Sequence, residues 1–376
     1  MTRILFLSNC RPAPGSGSGE RTLSIYNALT RLGHVDVLIV PPANRPIFDN
    51  TAEYVVNLLD NPRYATPWYW RKRLYLFCDF RSNKRVAAKV RELHRRHPYD
   101  VFFGRYHLPF LGGTASLGPS LVDIDDLPAD TWTSRMPLID LIRKKLLVYA
   151  MRGFKTVFVT KPADVRKLVH DDVRVLPCIS TRPSATGPIT YQGSDKRMLF
   201  IGGKWHTPND DGISRFITNC LPKIREQVPD AFLRLIGSGY KVLDGTEGIS
   251  AEDFIDDLVD EYRQATIFVC PIYRGAGSLV KLAEAVGYGL AIVTTTFAAR
   301  GYEGILRPGR DMLVAESDEE FARYCVALLL NRQQRDTLGN NAKAAAAANL
   351  QQANIDKIIA NAVEPYLAKA RSVAMV

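Results

Sequence analysis

The sequence lacks the features that identify membrane-spanning, secreted and zinc-binding proteins. Its apolar runs, such as 265–272 and 290–293, fall well short of the roughly 20 residues that cross a bilayer. The N-terminus leads directly into an apolar strand at Arg3, without the charged, apolar and cleavage regions of a secretory signal. The cysteines form no C-x-x-C pair and fit no zinc spacing, so we expect free thiols in a cytoplasmic protein. They are Cys10, Cys78, Cys178, Cys220, Cys270 and Cys325.

Acidic charge is scarce relative to basic charge, and the formal net charge is +10. The excess is concentrated in a basic segment, residues 61–98, where only Asp79 and Glu92 oppose the cations and aromatic residues are interleaved with them. This pattern predicts a peripheral contact with an anionic membrane on its inner face, or with a phosphate-bearing acceptor. A solvated helix face with a partly buried aromatic side explains the same pattern. Nucleic acid is disfavoured because no recognition motif accompanies the charge.

The composition, with 46% hydrophobic and 23% charged residues, is that of a folded protein, and 376 residues favour two domains. Strand-like and helix-like segments alternate, beginning with a strand at 4–8 and a helix at 20–32, and the alternation restarts after a Pro-, Ser- and Gly-rich stretch. This pattern predicts two parallel α/β units in tandem. We expect a Rossmann-like domain over 1–180, a linker over 181–195, a second Rossmann-like domain over 196–350, and a final helix over 351–376 that returns to the first domain.

The segment 267–289 reads as a strand, a glycine-containing loop and a helix, which is the arrangement of a phosphate site. Glycines let a phosphate approach the backbone, and the free N–H groups and dipole of the helix start attract it. Lys281 lies in the first turn of the helix, within reach of a diphosphate. Glu284 lies on the same face, where a carboxylate accepts hydrogen bonds from a ribose diol. The alternative is an ordinary helix start with a solvent-exposed lysine.

The second half of the chain resembles the C-terminal domain of retaining glycosyltransferases of family 4. The resemblance is carried by segments 199–211, 221–222, 228–231, 233–237, 254–258 and 267–289, and it extends more loosely to the first domain. It implies the GT-B fold, in which two Rossmann-like parallel α/β domains face each other across a cleft. It also implies transfer of a sugar, with retention, from a nucleoside-diphosphate sugar such as a UDP- or GDP-sugar to a carbohydrate or lipid-linked acceptor. No metal or other cofactor is required in that family, and surface polysaccharide, lipopolysaccharide or glycolipid synthesis is the expected setting.

The resemblance assigns roles to individual positions. Glu284 holds the donor ribose, and Lys281 binds the diphosphate with Arg274 or Lys204 as a second cation. The loop around Phe254 lies beside the nucleotide base. The full set of expected donor-binding residues is Gly17, Gly19, Gly203, Lys204, Phe254, Ile255, Arg274, Gly275, Ala276, Gly277 and Ser278.

One departure from the family concerns the donor loop. Many relatives carry two glutamates separated by seven residues, and the first would fall at Ala276. A subgroup with Gly-Ala-Gly in this loop resembles the sequence better. The missing glutamate leaves open how the hydroxyls of the donor sugar are held.

The first domain offers a second group of candidates. The glycine-containing loop 9–20 faces the donor phosphates in the family; by itself it could be an NAD loop, but Pro41 and Pro42 stand where a dinucleotide fold needs an acidic residue. His107 is expected to touch the donor sugar, unless it is a packed or surface histidine. Asp125 or Asp126 is expected to contact an acceptor hydroxyl, with helix capping as the alternative.

Two other classes of function remain open from the sequence. The first is a sugar-nucleotide epimerase or a phosphorylase with the same fold. The second is a non-catalytic relative that binds a nucleotide only, which the alanine at 276 favours.

Overall fold

The computed structural model describes residues 2–40, 54–55, 85–105, 113–125, 145, 149, 151–181, 196–275 and 279–373. The chain divides into two compact units, Met1–Leu176 with Gln352–Val376, and Pro177–Gln351. Each unit contains one sheet, and every strand pairing in the described residues is parallel. No described helix is long and apolar enough to cross a membrane.

The strands are, in chain order, β1 (Arg3–Ser8), β2 (His34–Ile39), β3 (Tyr54–Val55), β4 (Val101–Arg105), β5 (Ser120–Asp125), β6 (Thr156–Val159), β7 (Val173–Val175), β8 (Arg197–Ile201), β9 (Phe232–Ile236), β10 (Ile249–Glu252), β11 (Ile267–Cys270), β12 (Ile292–Thr295) and β13 (Leu313–Ala315). The first sheet has the order β3-β2-β1-β4-β5-β6-β7 and the second β10-β9-β8-β11-β12-β13. In each sheet the order reverses beside the first strand, between β1 and β4 and between β8 and β11.

The helices are α1 (Gly17–Thr30), α2 (85–96), α3 (Pro162–Val165), α4 (Thr207–Asn219), α5 (Leu221–Gln227), α6 (Val259–Gln264), α7 (Val280–Gly287), α8 (Thr296–Ala299), α9 (Asp318–Leu330), α10 (Arg332–Asn349) and α11 (Gln352–Val373). Short 3₁₀ turns occupy Thr114–Ser116, Lys241–Leu243 and Arg300–Tyr302. The final helix, α11, belongs to the first unit and packs on α1, where Gln352 Nε2 donates to Ser24 O at 2.8 Å.

The apolar runs in the sequence become the central strands. Ile4, Leu5, Phe6 and Leu7 of β1 are fully buried, as are the residues of β11, because helices cover both faces of a parallel sheet. Of the described cysteines, Cys10, Cys178, Cys220, Cys270 and Cys325 are free thiols; Cys78 lies outside the described residues.

Two helix boundaries differ from the sequence-based prediction. The first helix starts at Gly17 and not at residue 20, because the Ser16 side chain caps it by accepting the Gly19 N–H at 3.1 Å. The sequence also has a helical pattern over 212–227, but the structure has two helices in this region that meet at Cys220, since Pro222 cannot continue an α-helix from its interior. The short elements β3, β10, β13 and α6 were not predicted.

Candidate functional site

In the second unit the candidate residues gather where the strand order reverses. In open parallel sheets, ligands bind at such a switch point, outside the carboxyl ends of the strands. Residues Gly202, Gly203 and Lys204 follow β8, and Arg274 and Gly275 follow β11, the adjacent strand. The helix after β11 then places Lys281 at its second residue. The predicted donor residues on these two loops and on α7 therefore share one edge of the sheet.

Lys281 is held against the loop that follows β8. Its Nζ donates to Asn209 Oδ1 at 2.9 Å, and Asn209 Nδ2 donates to the carbonyl of Gly203 at 2.9 Å. Gly202 has φ +153°, and a Cβ there would lie 2.6 Å from Lys281 Nζ and 2.7 Å from Asn209 Nδ2. Residue 202 must therefore be glycine for the lysine, the amide and the loop to coexist.

Burial destabilises the charged form of Lys281. This loss of hydration lowers the pKa of Lys281 from 10.5 to about 8, although the nearby acidic groups Cys270 and Glu284 oppose the shift. The ammonium also lies 4.1 Å from the centre of the Phe200 ring, a cation–π contact. An anion bound at this point would replace the hydration that the lysine has lost, so the site favours negatively charged ligands.

The charge of Lys281 also affects the histidine that precedes α4. Burial, and after it the positive charge of Lys281, lowers the pKa of His206 below its ordinary 6.5, against a hydrogen bond with Asn209. The imidazole is therefore neutral at pH 7, and it adds a polar group without a second charge. His206 was not predicted as a site residue.

Glu284 is 8% exposed and lies one turn after Lys281 on α7. Its Oε2 accepts a hydrogen bond from the Tyr262 hydroxyl at 2.6 Å, and its Oε1 accepts one from Ser180 Oγ at 3.4 Å. The carboxylate is thus fixed in direction by hydroxyl groups. Charge-assisted hydrogen bonds of this kind are stronger than neutral ones and hold the acceptor in place.

The other two predicted cations are paired with neighbouring carboxylates. Lys204 Nζ lies 2.6 Å from Asp210 Oδ1, and Arg274 forms an ion pair with Asp211. All four side chains are at least a third exposed. Surface ion pairs contribute about 0–1 kcal/mol each, so a diphosphate can compete with Asp210 and Asp211 for these cations.

The donor loop after β11 is tied down from one side. Gly275 has φ +131°, a left-handed conformation that favours glycine, and a Cβ there would lie 3.1 Å from Pro208 Cγ. The adjacent Tyr273 donates its hydroxyl proton to Asp318 Oδ1 at 2.9 Å and has the Arg215 guanidinium 4.1 Å from its ring centre. Ala276, Gly277 and Ser278 lie outside the described residues.

The residues expected beside the nucleotide base follow β10. Phe254 is 76% exposed and Ile255 is half-buried. The loop is held by Asp253, whose Oδ1 accepts the N–H groups of Gly239 and Lys241 at 2.9 Å each. An exposed aromatic side chain on an anchored loop is a surface on which a base can stack.

In the first unit the predicted loop residues Gly17 and Gly19 lie inside the first turn of α1, so their placement in a loop was wrong. The helix is capped by Ser16, and Glu20 Oε1 accepts the Gly15 N–H at 3.2 Å. Because the first N–H groups of a helix attract anions, Gly17 still lies at a position suited to a phosphate.

Asp125 belongs to a buried network of charges. Its Oδ2 lies 3.1 Å from Arg105 Nη2, and its Oδ1 lies 3.6 Å from Arg21 Nε. Arg21 also forms a bidentate pair with Asp123, at 2.8 and 2.6 Å. Asp125 has φ +56°, which is unusual for a residue other than glycine. Contact of Asp125 with an acceptor hydroxyl stays a prediction, and Asp126 and His107 lie outside the described residues.

Several residues of the site were missed in the sequence. Asn209 lies in the Thr-Pro-Asn start of α4, and a polar residue there gives only a weak signal. Tyr262 and Ser180 approach Glu284 from 22 and 104 positions away, which no local pattern indicates. Arg21 and Arg105 belong to no motif in the sequence, yet both are almost fully buried. Among the described residues, no group of three or more His, Cys, Asp or Glu side chains is arranged to hold a metal ion.

Comparison with known proteins connects this geometry to a fold. Residues 195–331 match the family model described as glycosyl transferases group 1. A sucrose-phosphate synthase from Thermosynechococcus elongatus superposes with a TM-score of 0.73 at 16% identity, covering 98% of this chain and 100% of the other. The chain has the GT-B fold.

Other solved structures agree on the GT-B fold. An α,α-trehalose 6-phosphate synthase from Burkholderia multivorans has a TM-score of 0.64 at 12% identity, covering 100% of this chain and 99% of the other. HepE from Anabaena, solved in complex with UDP, has a TM-score of 0.63 at 13% identity, covering 97% and 100%. A comparison with curated protein sequences gives no significant match. The predicted fold class is confirmed, and the family model lies on the unit that carries Lys281 and Glu284.

Proposed function

We propose that this protein is a glycosyltransferase that moves a sugar, with retention, from a nucleoside-diphosphate sugar to an acceptor hydroxyl. One observation carries the proposal. Lys281, the loop after β8 and Glu284 meet at the switch point of the second sheet, inside the residues that match a glycosyltransferase family model. A cation at a helix start with a carboxylate one turn behind it suits a diphosphate and its ribose.

The proposed sugar transfer requires stabilisation of the leaving diphosphate. Negative charge grows on that group as the bond to the sugar breaks, and a fixed cation and backbone N–H groups stabilise the charge without reorganising. Lys281 is fixed by Asn209, so it supplies this cation. Lys204 and Arg274 add charge when the diphosphate replaces their acidic partners. The neutral imidazole of His206 lies near Lys281 and can donate a hydrogen bond.

The finer features of the proposal follow from the resemblance and from the relatives. We assign the chain to the retaining family 4, in the subgroup with Gly-Ala-Gly in the donor loop, with a hexose or related sugar as the transferred group. HepE was solved with UDP, which supports a UDP-sugar as the first donor to test. The acceptor is a carbohydrate or a lipid-linked sugar of a surface polysaccharide, lipopolysaccharide or glycolipid, and no cofactor is required.

The test is a donor and acceptor screen. The purified protein is incubated with UDP-, GDP-, ADP- and dTDP-sugars and a panel of acceptors, and release of nucleoside diphosphate is measured. The panel includes sugar phosphates, because two relatives are named as synthases of sugar phosphates. Acceptor-dependent release that is lost in Lys281→Met supports the proposal.

Three results of the same screen would contradict it. Conversion of a sugar nucleotide without an acceptor identifies an epimerase, and a requirement for inorganic phosphate identifies a phosphorylase. Nucleotide binding without turnover on any acceptor identifies a non-catalytic relative, for which Ala276 in place of a glutamate would be the reason.

In the first unit we propose that Gly17 and Gly19 approach the donor phosphates from the start of α1. His107 is assigned to the donor sugar, and Asp125 or Asp126 to the acceptor. The substitution His107→Ala should lower kcat with little change in the affinity for nucleoside diphosphate, because the side chain would touch the sugar and not the diphosphate. An unchanged kcat would remove His107 from the site.

We propose a peripheral membrane contact through the basic segment. In its described part, helix α2 exposes Arg85, Arg91, Arg95 and Arg96, while Val86, Val90 and Leu93 are buried. A basic helix face of this kind is attracted to anionic lipid.

The test is flotation of the protein with lipid vesicles. Changing Arg91, Arg95 and Arg96 to glutamine should reduce flotation of the protein with phosphatidylserine vesicles. The control variant, Arg323→Gln with Arg332→Gln on exposed sites of the second unit, should float as the wild type does. Equal flotation of the wild-type protein with neutral and with anionic vesicles would contradict the proposal.

A further inference from the structure

Tyr262 holds the carboxylate that we assign to the donor ribose. Its hydroxyl donates to Glu284 Oε2 at 2.6 Å, and the tyrosine is fully buried on α6. The hydrogen bond joins side chains that are 22 positions apart, on different helices. Helix α6 ends shortly before β11, so Tyr262 reaches the carboxylate from the side of the sheet and not from α7 itself.

The phenol ring has no freedom to follow a moving carboxylate. It stacks on Tyr288 with ring centres 4.5 Å apart and planes at 8°, and on Phe268 at 6.2 Å and 26°. Tyr288 lies at the end of α7, and its N–H donates to the carbonyl of Glu284 at 3.1 Å. The ring and the backbone of Glu284 are thus clamped by the same neighbour, which fixes the hydroxyl relative to the carboxylate.

We propose that Tyr262 is a positioning residue that orients Glu284 for the two ribose hydroxyls and so sets the preference for ribonucleotides over 2′-deoxyribonucleotides. The inference rests on the proposed function. A glutamate side chain that is already ordered does not lose rotamer freedom when it binds, so ordering contributes to the affinity for the diol. The hydrogen bond also stabilises the ionised carboxylate, the form in which both oxygens act only as hydrogen-bond acceptors.

The alternative is that Tyr262 only joins α6 to α7. In that case its loss would weaken the binding of all nucleotides alike, or the stability of the fold, without affecting the choice of sugar. The ratio between ribonucleotide and deoxyribonucleotide affinities separates the two, because both ligands carry the same diphosphate and base.

The experiment measures dissociation constants by calorimetry for UDP and 2′-dUDP, GDP and 2′-dGDP, and ADP and 2′-dADP. We expect the wild-type protein to prefer one ribonucleotide over its deoxy form by about tenfold, as one hydrogen bond to a charged group gives. Glu284→Gln should remove most of that preference, and Tyr262→Phe should reduce it by about fivefold. The double variant should match Glu284→Gln alone, because Tyr262 acts through the carboxylate.

The matched control is Tyr302→Phe. Tyr302 is a fully buried tyrosine whose hydroxyl donates to the carbonyl of Leu279 at the start of α7 at 3.0 Å. It should leave the ratio unchanged even if all affinities fall. Replacing Tyr262 with 4-aminophenylalanine restores a donor on the same ring, and it should restore the ratio; this variant also serves if Tyr262→Phe does not fold.

The outcomes distinguish the two levels of the argument. If Glu284→Gln removes the preference and Tyr262→Phe keeps it at the wild-type value, the positioning role is wrong and the proposed function stands. If Glu284→Gln leaves the preference unchanged, the ribose assignment itself is wrong. Binding of none of the six nucleotides overturns both.

Discussion

Lys281 Nζ lies 2.9 Å from Asn209 Oδ1, and this bond joins the helix after β11 to the helix after β8. The two strands are neighbours at the switch point of the second sheet. Asn209 is buried, and its amide also holds the carbonyl of Gly203. A cation fixed in this way, between two helix starts, is the feature on which the proposed diphosphate site depends.

Replacing Lys281 with methionine should separate binding from stability. The affinity for nucleoside diphosphate should fall by about 10- to 100-fold, because a hydrogen bond to a charged group is lost. Stability at pH 7 should stay equal or increase, since a partly buried charge is replaced by an apolar chain of similar length. Calorimetry and urea unfolding measure the two quantities.

The control is Lys223→Met. Lys223 is an exposed lysine paired with Glu319, and its replacement should leave the affinity for nucleoside diphosphate unchanged. Wild-type affinity in Lys281→Met would remove the lysine from the site.

The lowered pKa of Lys281, about 8, predicts that diphosphate binding weakens at alkaline pH. Only the protonated lysine attracts the anion, so the affinity should fall above pH 8 and approach a tenfold loss per pH unit. Calorimetry with UDP from pH 7 to 9.5 checks this, and Lys281→Met should give a flat profile. A wild-type profile that is equally flat would contradict the assignment.

The same lowered pKa of Lys281 has a consequence for stability without ligand. Between about pH 8 and 10.5 the unfolded chain keeps the lysine proton that the folded chain has released. The unfolded state then binds more protons, so this lysine makes stability rise with pH in that window. The difference in unfolding free energy between wild type and Lys281→Met should therefore shift in favour of the wild type as pH increases from 8 to 10.

Gly202→Ala should damage the site by collision. The new Cβ would lie 2.6 Å from Lys281 Nζ and 2.7 Å from Asn209 Nδ2, so either the ammonium or the loop must move. We expect about a tenfold loss of nucleoside diphosphate affinity, the cost of one displaced charged contact. Gly245→Ala is the matched control: it also has positive φ, +79°, but a Cβ there meets nothing within 4 Å. Equal effects of the two substitutions on affinity would assign the loss to backbone strain.

Tyr273→Phe should loosen the donor loop. The hydroxyl that is lost donates a hydrogen bond to Asp318, and the same carboxylate also accepts hydrogen bonds from Arg215 and Asn219. The loop is therefore tied to the start of α9. Stability should fall by about 1 kcal/mol, and the KM for the donor should rise about threefold to fivefold. Tyr324→Phe, which removes a hydroxyl bound to Glu320 on the same helix, should leave the KM unchanged. A KM unaffected by Tyr273→Phe would show that the loop is held without it.

More of the fold than of the site could be predicted from the sequence. Apolar runs such as 267–270 become strands because a parallel sheet is buried on both faces, and the apolar run alone is enough to predict the strand. The strand Leu313–Ala315 is too short to produce an apolar run. The start of the first helix was predicted at residue 20 and not at Gly17, because the Ser16 cap outweighs the two glycines in its first turn. Lys281 and Glu284 stood out through a local motif. Asn209 and Tyr262 could not, since tertiary packing alone brings them to those residues.

Arg21→Met should be among the most damaging substitutions in the first unit. Arg21 and Asp123 are both at most 1% exposed and form a bidentate pair, so removal of one partner leaves a buried charge. Breaking such a pair costs about 3–5 kcal/mol, to be measured by urea unfolding. Arg31→Met, at the exposed residue that follows the same helix and pairs with Asp356, should cost about 0–1 kcal/mol. Comparable losses in the two variants would mean that the buried network is not what stabilises this unit.

The central claim is that the diphosphate of a sugar nucleotide binds between the loop after β8 and the start of α7. A crystal structure of the protein with the nucleotide selected by the donor screen tests it most directly. We predict phosphate oxygens within hydrogen-bonding distance of Lys281 Nζ and ribose hydroxyls at the Glu284 carboxylate. A nucleotide bound elsewhere, with Lys281 still bonded only to Asn209, would contradict the account.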